Sequence, residues 1–288
     1  MRRLEQLLVD GPAGITVQLE ADVTAGGEKA TDLFDSIEQG QRQVGYMASS
    51  YLSARVPALG VLDLPFSVAD RSLALAALDG RAGALLREAV AQGSDFHVLG
   101  YWDNGFRHIS NALRPIRTPA DCVGQAIRTL NSAHYRALLG ALGFTPVSLD
   151  VKDFVHAVQT GAVQAQENPL TNFIGFGLWQ HHPHLSLTAH GFGVLLLVCR
   201  RAWYQGLTAP QREQLDGAVS ETTALQRQLA CEQDHAALAQ LQAHGVQVLG
   251  PEMIDLTAMR AAAARFSAGL RQQVPAALLA AYLPTVAA

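Results

Sequence analysis

The sequence predicts an α/β fold that is divided into two lobes. Apolar runs of strand length alternate with stretches of helical periodicity, which is typical of α/β proteins. A chain of 288 residues is near the size at which a single hydrophobic core divides into two. In addition, residues 208–244 form one long helical pattern, and such a helix is longer than one lobe of this chain is wide.

Composition excludes two classes of protein. Hydrophobic residues make up 49% of the chain and charged residues 16%, which is enough apolar material for a core. The formal net charge is −4 and no basic run occurs, so we expect no nucleic-acid partner. The longest apolar stretches, such as 194–199, are far shorter than the roughly 20 residues that cross a bilayer.

The strands and helices follow one another along the chain. The strand candidates are Ile15–Glu20, Gln43–Ala48, Phe96–Tyr101, Gln125–Thr129, Leu185–Ala189 and Gly193–Cys199. A helix is predicted over Ala30–Gln39, because Leu33 and Ile37 lie four residues apart on one face. Another begins after Ser132, a good N-cap, and ends at Gly143, a good C-cap.

The long helix has its own start and stop residues. Thr208 can cap its N-terminus, Pro210 falls in its first turn and Gly245 closes it. If continuous, it is about 37 residues and about 55 Å long. The alternative is two helices broken near Gly217, and the sequence does not decide between them. A last helix is predicted over Asp255–Tyr282.

Motifs for enzymatic chemistry are missing. The chain has no nucleophile elbow, no phosphate-binding loop of the P-loop type and no H-E-x-x-H zinc motif. Three histidines, His181, His182 and His184, raise the alternative of a histidine-ligated metalloenzyme. Adjacent side chains diverge on a strand, however, and no acidic or thiolate motif completes the set, so we expect no metal and no cofactor. The cysteines are odd in number and far apart, which favours buried free thiols: Cys122, Cys199 and Cys231.

A group of polar residues in the central third is the best candidate for a binding site. Arg128 ends a predicted strand and precedes a helix, and ligands of open α/β sheets lie at the carboxyl ends of strands. An arginine there can offer two parallel N–H donors to a carboxylate, which a lysine cannot. The alternative is an arginine paired with an acidic residue of the chain. Arg107 and Asn168 belong to the same polar group.

Several ordered segments carry a resemblance to a known family. They are residues 60–66, 114–121, 127–135, 141–147, 159–169 and 185–190. Together they resemble the solute-binding proteins of TRAP (tripartite ATP-independent periplasmic) transporters, the dicarboxylate-binding or DctP-like family. The resemblance covers nearly the whole chain from about Gly14 onward.

The resemblance implies a periplasmic-binding-protein fold with a long helix that spans both lobes. It places an N-terminal lobe at 1–104, completed by about 193–220. A C-terminal lobe at 105–192 is completed by about 221–254. Residues 255–288 are expected to form a C-terminal helix that packs across the lobes.

The family also implies roles for single residues. The arginine that matches Arg128 binds the ligand carboxylate through two bonds, Asn168 matches a ligand-binding asparagine, and Arg107 often adds a second contact. Phe192 falls where the family has an aromatic residue near the cleft. Val151 stands where some members place a phenylalanine against the ligand. Two further aromatics are expected either on the cleft wall or in the core: Trp179 and Phe173.

The function implied is that of a receptor and not of an enzyme. Such a protein binds a small organic acid between its lobes and delivers it to TRAP membrane subunits, which use an ion gradient. We expect a periplasmic monomer. Dicarboxylates, 2-oxo acids, sugar acids and aromatic acids all remain open as ligands, and the alternative function is a sensor that feeds a signalling partner.

The beginning of the chain departs from the family pattern. Members normally begin with a signal peptide and a first strand, whereas Met1 here falls inside the expected first helix. Leu4, Leu7 and Leu8 form the apolar face of that helix. The pattern suggests a product that begins further upstream, the alternative being a truncated relative.

Overall fold

The computed structural model describes residues 1–286 and is built on one mixed sheet. Its strands are β1 (Val44–Ala48), β2 (Phe96–Asn111), β3 (Ala126–Thr129), β4 (Thr145–Ser148), β5 (Ala165–Asn168), β6 (His184–Arg200) and β7 (Gln247–Leu249). The order across the sheet is β1-β6-β2-β5-β3-β4, with β7 beside β6. β2 and β6 are long, antiparallel and central, whereas β3 pairs in parallel with both β4 and β5.

Helices cover the sheet and connect its strands. They are α1 (Arg2–Val9), α2 (Asp32–Glu38), α3 (Arg71–Asp79), α4 (Arg81–Gly93), α5 (Ala133–Ala141), α6 (Val151–Gln159), α7 (Leu170–Gly175), α8 (Arg201–Gly206), α9 (Ala209–Ala243), α10 (Leu256–Gln273) and α11 (Ala276–Val286). None of those in the described part of the chain is both long enough and apolar enough to span a bilayer.

The long strands have their two ends in different hydrophobic cores. Val98 of β2 packs with α2, α3, α4 and α11, whereas Ile109 of the same strand packs with α5 and α10. A further cluster joins α6, α7 and α9. We call the part around β1 the first lobe and the part around β3–β5 and β7 the second lobe. The α/β prediction is confirmed, and the exact lobe boundaries stay predictions.

Helix α9 is continuous, so the predicted long helix is confirmed and the break near Gly217 is wrong. Thr208 and Gln211 form a reciprocal capping box at its N-terminus, and Pro210 lies in the first turn. At 35 residues the helix is about 52 Å long. Leu215 near one end is buried with α1, and Leu241 near the other end is buried with α6 and α7, so α9 connects the lobes.

Gly217 is the weak point of α9 and gives a stability prediction. A Cβ at this exposed position meets no atom within 4 Å, so Gly217→Ala adds helix propensity without a clash. We expect the free energy of unfolding to rise by about 0.5–1 kcal/mol and the thermal midpoint by about 2 °C. Gly83→Ala in α4 is the matched control, because its Cβ would lie 1.7 Å from the Leu78 carbonyl oxygen and must destabilise. A lower midpoint for Gly217→Ala contradicts the continuous helix.

Three predicted elements differ from the structure. Residues 15–20 form no strand, because they pair with no neighbouring strand among residues 1–286. The two strands predicted over 185–199 are one strand, β6. The last predicted helix is two helices, α10 and α11, because Pro275 cannot continue a helix; the first packs on both lobes and the second on the first lobe.

The first helix, the cysteines and the C-terminal segment were also predicted from the sequence. Leu4 and Leu8 of α1 are buried and Leu7 is half-buried, which confirms the predicted apolar face. All three cysteines are free thiols; Cys122 and Cys199 are buried as predicted, whereas Cys231 is only half-buried. The last two residues of the predicted C-terminal segment 255–288, Ala287 and Ala288, lie outside the described residues.

Candidate functional site

A cleft of about 1500 Å³ opens where β2, β3 and β5 meet the first lobe, and it continues outward along α1 and β1. The three polar residues singled out in the sequence all line it: Arg107 on β2, Arg128 on β3 and Asn168 on β5. Although they are up to 61 residues apart in the chain, the order of the strands places them side by side. Val151, at the start of α6, also lines the cleft.

The guanidinium group of Arg128 is held from behind. Its Nε and Nη2 both donate to the Leu149 carbonyl oxygen, at 3.1 and 2.7 Å. The Phe154 ring lies 4.2 Å from the central carbon of the guanidinium, close enough for a cation–π contact. An arginine has five N–H donors, so three remain, two on Nη1 and one on Nη2. Those three can form the forked pair of bonds that a carboxylate accepts.

Arg128 is a buried cation without an acidic partner. Its side chain is 2% exposed, and it forms no salt bridge with any residue in the described part of the chain. Burial accordingly lowers its pKa. The intramolecular pairing considered from the sequence is therefore wrong for Arg128, and an unpaired buried charge of this kind is costly unless an anion compensates it.

Arg107 is paired, in contrast to Arg128. Its Nε and Nη2 bind the two carboxylate oxygens of Glu167, at 2.5 and 2.9 Å, and both side chains are buried. The Thr129 hydroxyl donates to the same carboxylate at 2.8 Å. Burial by itself raises the pKa of Glu167, but the Arg107 charge outweighs it and holds the pKa well below its usual range. The charges of Arg107 and Glu167 therefore cancel, and this buried ion pair lies beside Arg128 in the cleft.

The two lobes touch at the mouth of the cleft, on either side of Val151. The backbone N–H of Ala30 in the first lobe donates to the Asp150 carboxylate at 3.3 Å. The Lys152 ammonium group donates to the Gly27 carbonyl oxygen at 3.3 Å. These two hydrogen bonds join segments of different lobes across the mouth of the cleft.

The predicted aromatic residues do not line the cleft. Phe192 is buried in the core of the first lobe, where its ring packs edge-on against Phe106 at 5.1 Å. Trp179 stacks on His244 at 3.7 Å, beside the core of the second lobe, and Phe173 is buried in that core. The expectation that Phe192 lies near the ligand is wrong, and of the two positions considered for Trp179 and Phe173, on the cleft wall or in the core, the structure shows packing at the core.

The histidine group does not form a metal centre in the structure. His182 is buried and its Nδ1 lies 3.0 Å from the Ser110 hydroxyl, whereas His181 is half-buried. Residues 1–286 contain no group of three or more histidine, cysteine, aspartate or glutamate side chains placed to hold a metal ion.

Sequence reasoning missed the groups that position the arginines. Glu167 stands inside the segment that carries the resemblance, directly before Asn168, so its charge was visible although its partner was not. The Leu149 carbonyl oxygen and the Phe154 ring left no sequence signal of their own. Tyr51 and Asn172 also line the cleft and had not been predicted.

Comparisons with known proteins agree with this architecture. Residues 12–271 match the family described as bacterial extracellular solute-binding protein, family 7 (DctP). The 2,3-diketo-L-gulonate-binding periplasmic protein YiaO of Escherichia coli K12 is 28% identical over 249 residues, which is 86% of this chain and 75% of that protein. An uncharacterized protein of Haemophilus influenzae is 30% identical over 86% of this chain and 75% of its own length.

Solved structures share the two-lobed fold. The sugar acid binding protein DctPAm of Advenella mimigardefordensis, solved in complex with galactonate, superposes with a TM-score of 0.91 at 21% identity, covering 99% of this chain and 91% of that one. The family match extends over most of the chain, and the fold agrees with it. The chain therefore belongs to the bacterial extracellular solute-binding proteins of family 7, the DctP family of TRAP solute-binding proteins.

Proposed function

We propose that this protein binds a small organic acid through Arg128 and delivers it to the membrane subunits of a TRAP transporter. Members of the family bind small carboxylate ligands and work with TRAP membrane components. On this proposal the chain acts in the periplasm as a receptor without catalytic activity. Arg107, Asn168 and Val151 are the other ligand contacts, because they line the same cleft.

The observation that carries the proposal is the unpaired charge of Arg128. The fold buries this guanidinium group, fixes it against Leu149 and Phe154, and pairs it with no carboxylate among residues 1–286. A ligand carboxylate that enters the cleft completes the pair through charge-assisted bonds. Because the surroundings are shielded from water, each of these bonds is stronger than it is at an exposed site.

Ligand binding also accounts for the contacts at the mouth. A ligand held between Arg128 and the first lobe favours the closed form, in which Asp150 reaches Ala30 and Lys152 reaches Gly27. The closed form is then the one that the membrane subunits receive.

A thermal-shift experiment tests the proposal. The panel is succinate, D-galactonate, pyruvate and 2,3-diketo-L-gulonate, with galactitol as the uncharged match of galactonate. A ligand at one thousand times its dissociation constant adds about 4 kcal/mol to stability, so we expect at least one acid to raise the midpoint by about 8 °C or more. Galactitol should cause no shift, because it lacks the carboxylate. A panel in which no acid raises the midpoint contradicts the proposed receptor.

A further inference from the structure

A chain of buried hydrogen bonds leads from the cleft to His182, the histidine that the binding site leaves unexplained. It runs from Arg107 through Asn168, Gln166 and Ser110 to His182. Each of these side chains is at most 5% exposed. Water therefore does not compete for these bonds, and each group depends on its neighbour in the chain.

The direction of every bond follows from the arginine at one end. A guanidinium group only donates, so the Asn168 oxygen, 3.3 Å from Nη2 of Arg107, is the acceptor. The Asn168 amide nitrogen then donates to the Gln166 side-chain oxygen at 2.7 Å. The Gln166 nitrogen in turn donates to the Ser110 hydroxyl oxygen at 2.6 Å.

His182 ends the chain of hydrogen bonds. Its Nδ1 lies 3.0 Å from the Ser110 hydroxyl oxygen, which has one hydrogen and two lone pairs and so bonds both Gln166 and a neutral imidazole. Burial supports the neutral form, since it lowers the pKa of His182 to about 3.

This chain limits what Asn168 can offer a ligand. Its oxygen accepts from Asn172 at 3.3 Å and faces Nη2 of Arg107 at the same distance, where the two Nη2 hydrogens also serve Glu167, so both of its lone pairs face donors of the protein. One of its two amide hydrogens is given to Gln166. A single N–H donor remains for the cleft, and its counterpart on a ligand must be an acceptor, such as a carboxylate, carbonyl or hydroxyl oxygen.

We propose that His182, Ser110 and Gln166 are positioning residues that lock the Asn168 amide, so that it presents one donor and no acceptor to the ligand. This inference rests on the proposed function, in which Asn168 contacts the acid. On this proposal His182 does not touch the ligand; it affects ligand recognition only through Asn168.

A double-mutant cycle on the full chain tests the proposal. Wild type, His182→Phe, Asn168→Ala and the double variant are titrated calorimetrically with whichever acid of the four-acid panel gives the largest thermal shift. We expect Asn168→Ala to weaken binding about tenfold and His182→Phe about three- to fivefold, since each loses about one hydrogen bond or its alignment. In the Asn168→Ala background, His182→Phe should cause no further loss.

The controls separate positioning from packing. His182→Asn keeps a neutral hydrogen-bonding group for Ser110 and should restore most of the affinity, whereas His181→Phe, outside the chain of bonds, should have no effect. Ser110→Ala breaks the same chain at another point and replaces His182→Phe if that variant does not fold. Equal losses from His182→Phe in both backgrounds, or no loss in either, overturn the positioning role.

The outcomes also distinguish this inference from the proposed function. An unchanged affinity in Asn168→Ala, or a panel in which no acid binds, contradicts the proposed site itself. A loss in Asn168→Ala together with full affinity in His182→Phe and in Ser110→Ala contradicts only the positioning role.

Discussion

Arg128→Ala is expected to weaken acid binding by at least about 30-fold, because removing one partner of a desolvated charge pair costs about 2–5 kcal/mol. Of the two buried arginines on β2 and β3, Arg107 is paired with Glu167, so the variant removes the one that has no acidic partner among residues 1–286. Calorimetric titration with the best acid of the panel measures the effect. In the absence of ligand the midpoint should fall by no more than about 3 °C, since an uncompensated buried charge does not stabilise a fold.

Arg128→Lys is the matched control for charge. A lysine keeps the positive charge but offers no planar fork, and it can neither bind Leu149 through two donors nor stack on Phe154 in the same way. We expect an affinity between those of wild type and Arg128→Ala, about tenfold below wild type. If Arg128→Ala binds the acid as tightly as wild type, the anchor lies elsewhere in the cleft.

Arg107→Leu is expected to have the largest effect on stability. It leaves the Glu167 carboxylate buried without its partner, which costs about 3–5 kcal/mol and lowers the thermal midpoint by about 10 °C. The double variant Arg107→Leu/Glu167→Leu should recover at least half of the loss, because neither charge is then buried. Thermal and denaturant unfolding measure both changes.

The pH dependence gives a second, independent readout for this variant. In wild type the pKa of Glu167 is depressed, so its contribution to stability is present above its unfolded pKa and is lost as the pH falls through the folded value. Without Arg107, burial raises that pKa instead, so lowering the pH protonates Glu167 and removes the penalty. The destabilisation by Arg107→Leu should therefore be smaller at pH 5 than at pH 8.

An exposed ion pair serves as the control for the buried one. Arg3 and Glu221 lie 2.6 Å apart, but their side chains are 40% and 53% exposed. Arg3→Leu should change the free energy of unfolding by less than about 1 kcal/mol, because solvent screens such pairs. A loss from Arg107→Leu as small as that from Arg3→Leu shows that the Glu167 charge is not held by Arg107.

Much of this fold was predictable because its signals are local. Caps at Thr208 and Gly245, and the absence of proline between Pro210 and the end, specify helix α9 through contacts only a few residues apart. The strands β1, β2 and β3 were likewise found from short apolar runs. Pro275 was also a local signal, for the break between α10 and α11. The sequence prediction missed it because it gave more weight to the alanine-rich helical pattern of residues 255–282.

The three polar residues of the site were predicted as well, from the strand end at Arg128 and from the family resemblance. Which arginine pairs with an acid of its own chain was not predicted, since an arginine at a strand end can bind either a ligand or such an acid. Tertiary structure decided this differently for the two arginines: Glu167, 60 residues away, neutralises Arg107, and no carboxylate among residues 1–286 reaches Arg128.

The aromatic residues show the same division. Phe192 was expected near the cleft from the family resemblance, but it is buried in the core beside Phe106. The face of a strand residue depends on register, and the pairing of β2 with β6 shifts at three irregularities, one of them between Asp103 and Gly105. The sequence by itself determined helix α9, the strands β1, β2 and β3, the family resemblance and the candidate polar residues of the cleft, because caps, short apolar runs and ordered motifs carry them. Only the tertiary structure decided which charges are paired and which side chains face the cleft, because those depend on strand register and on partners distant in the chain.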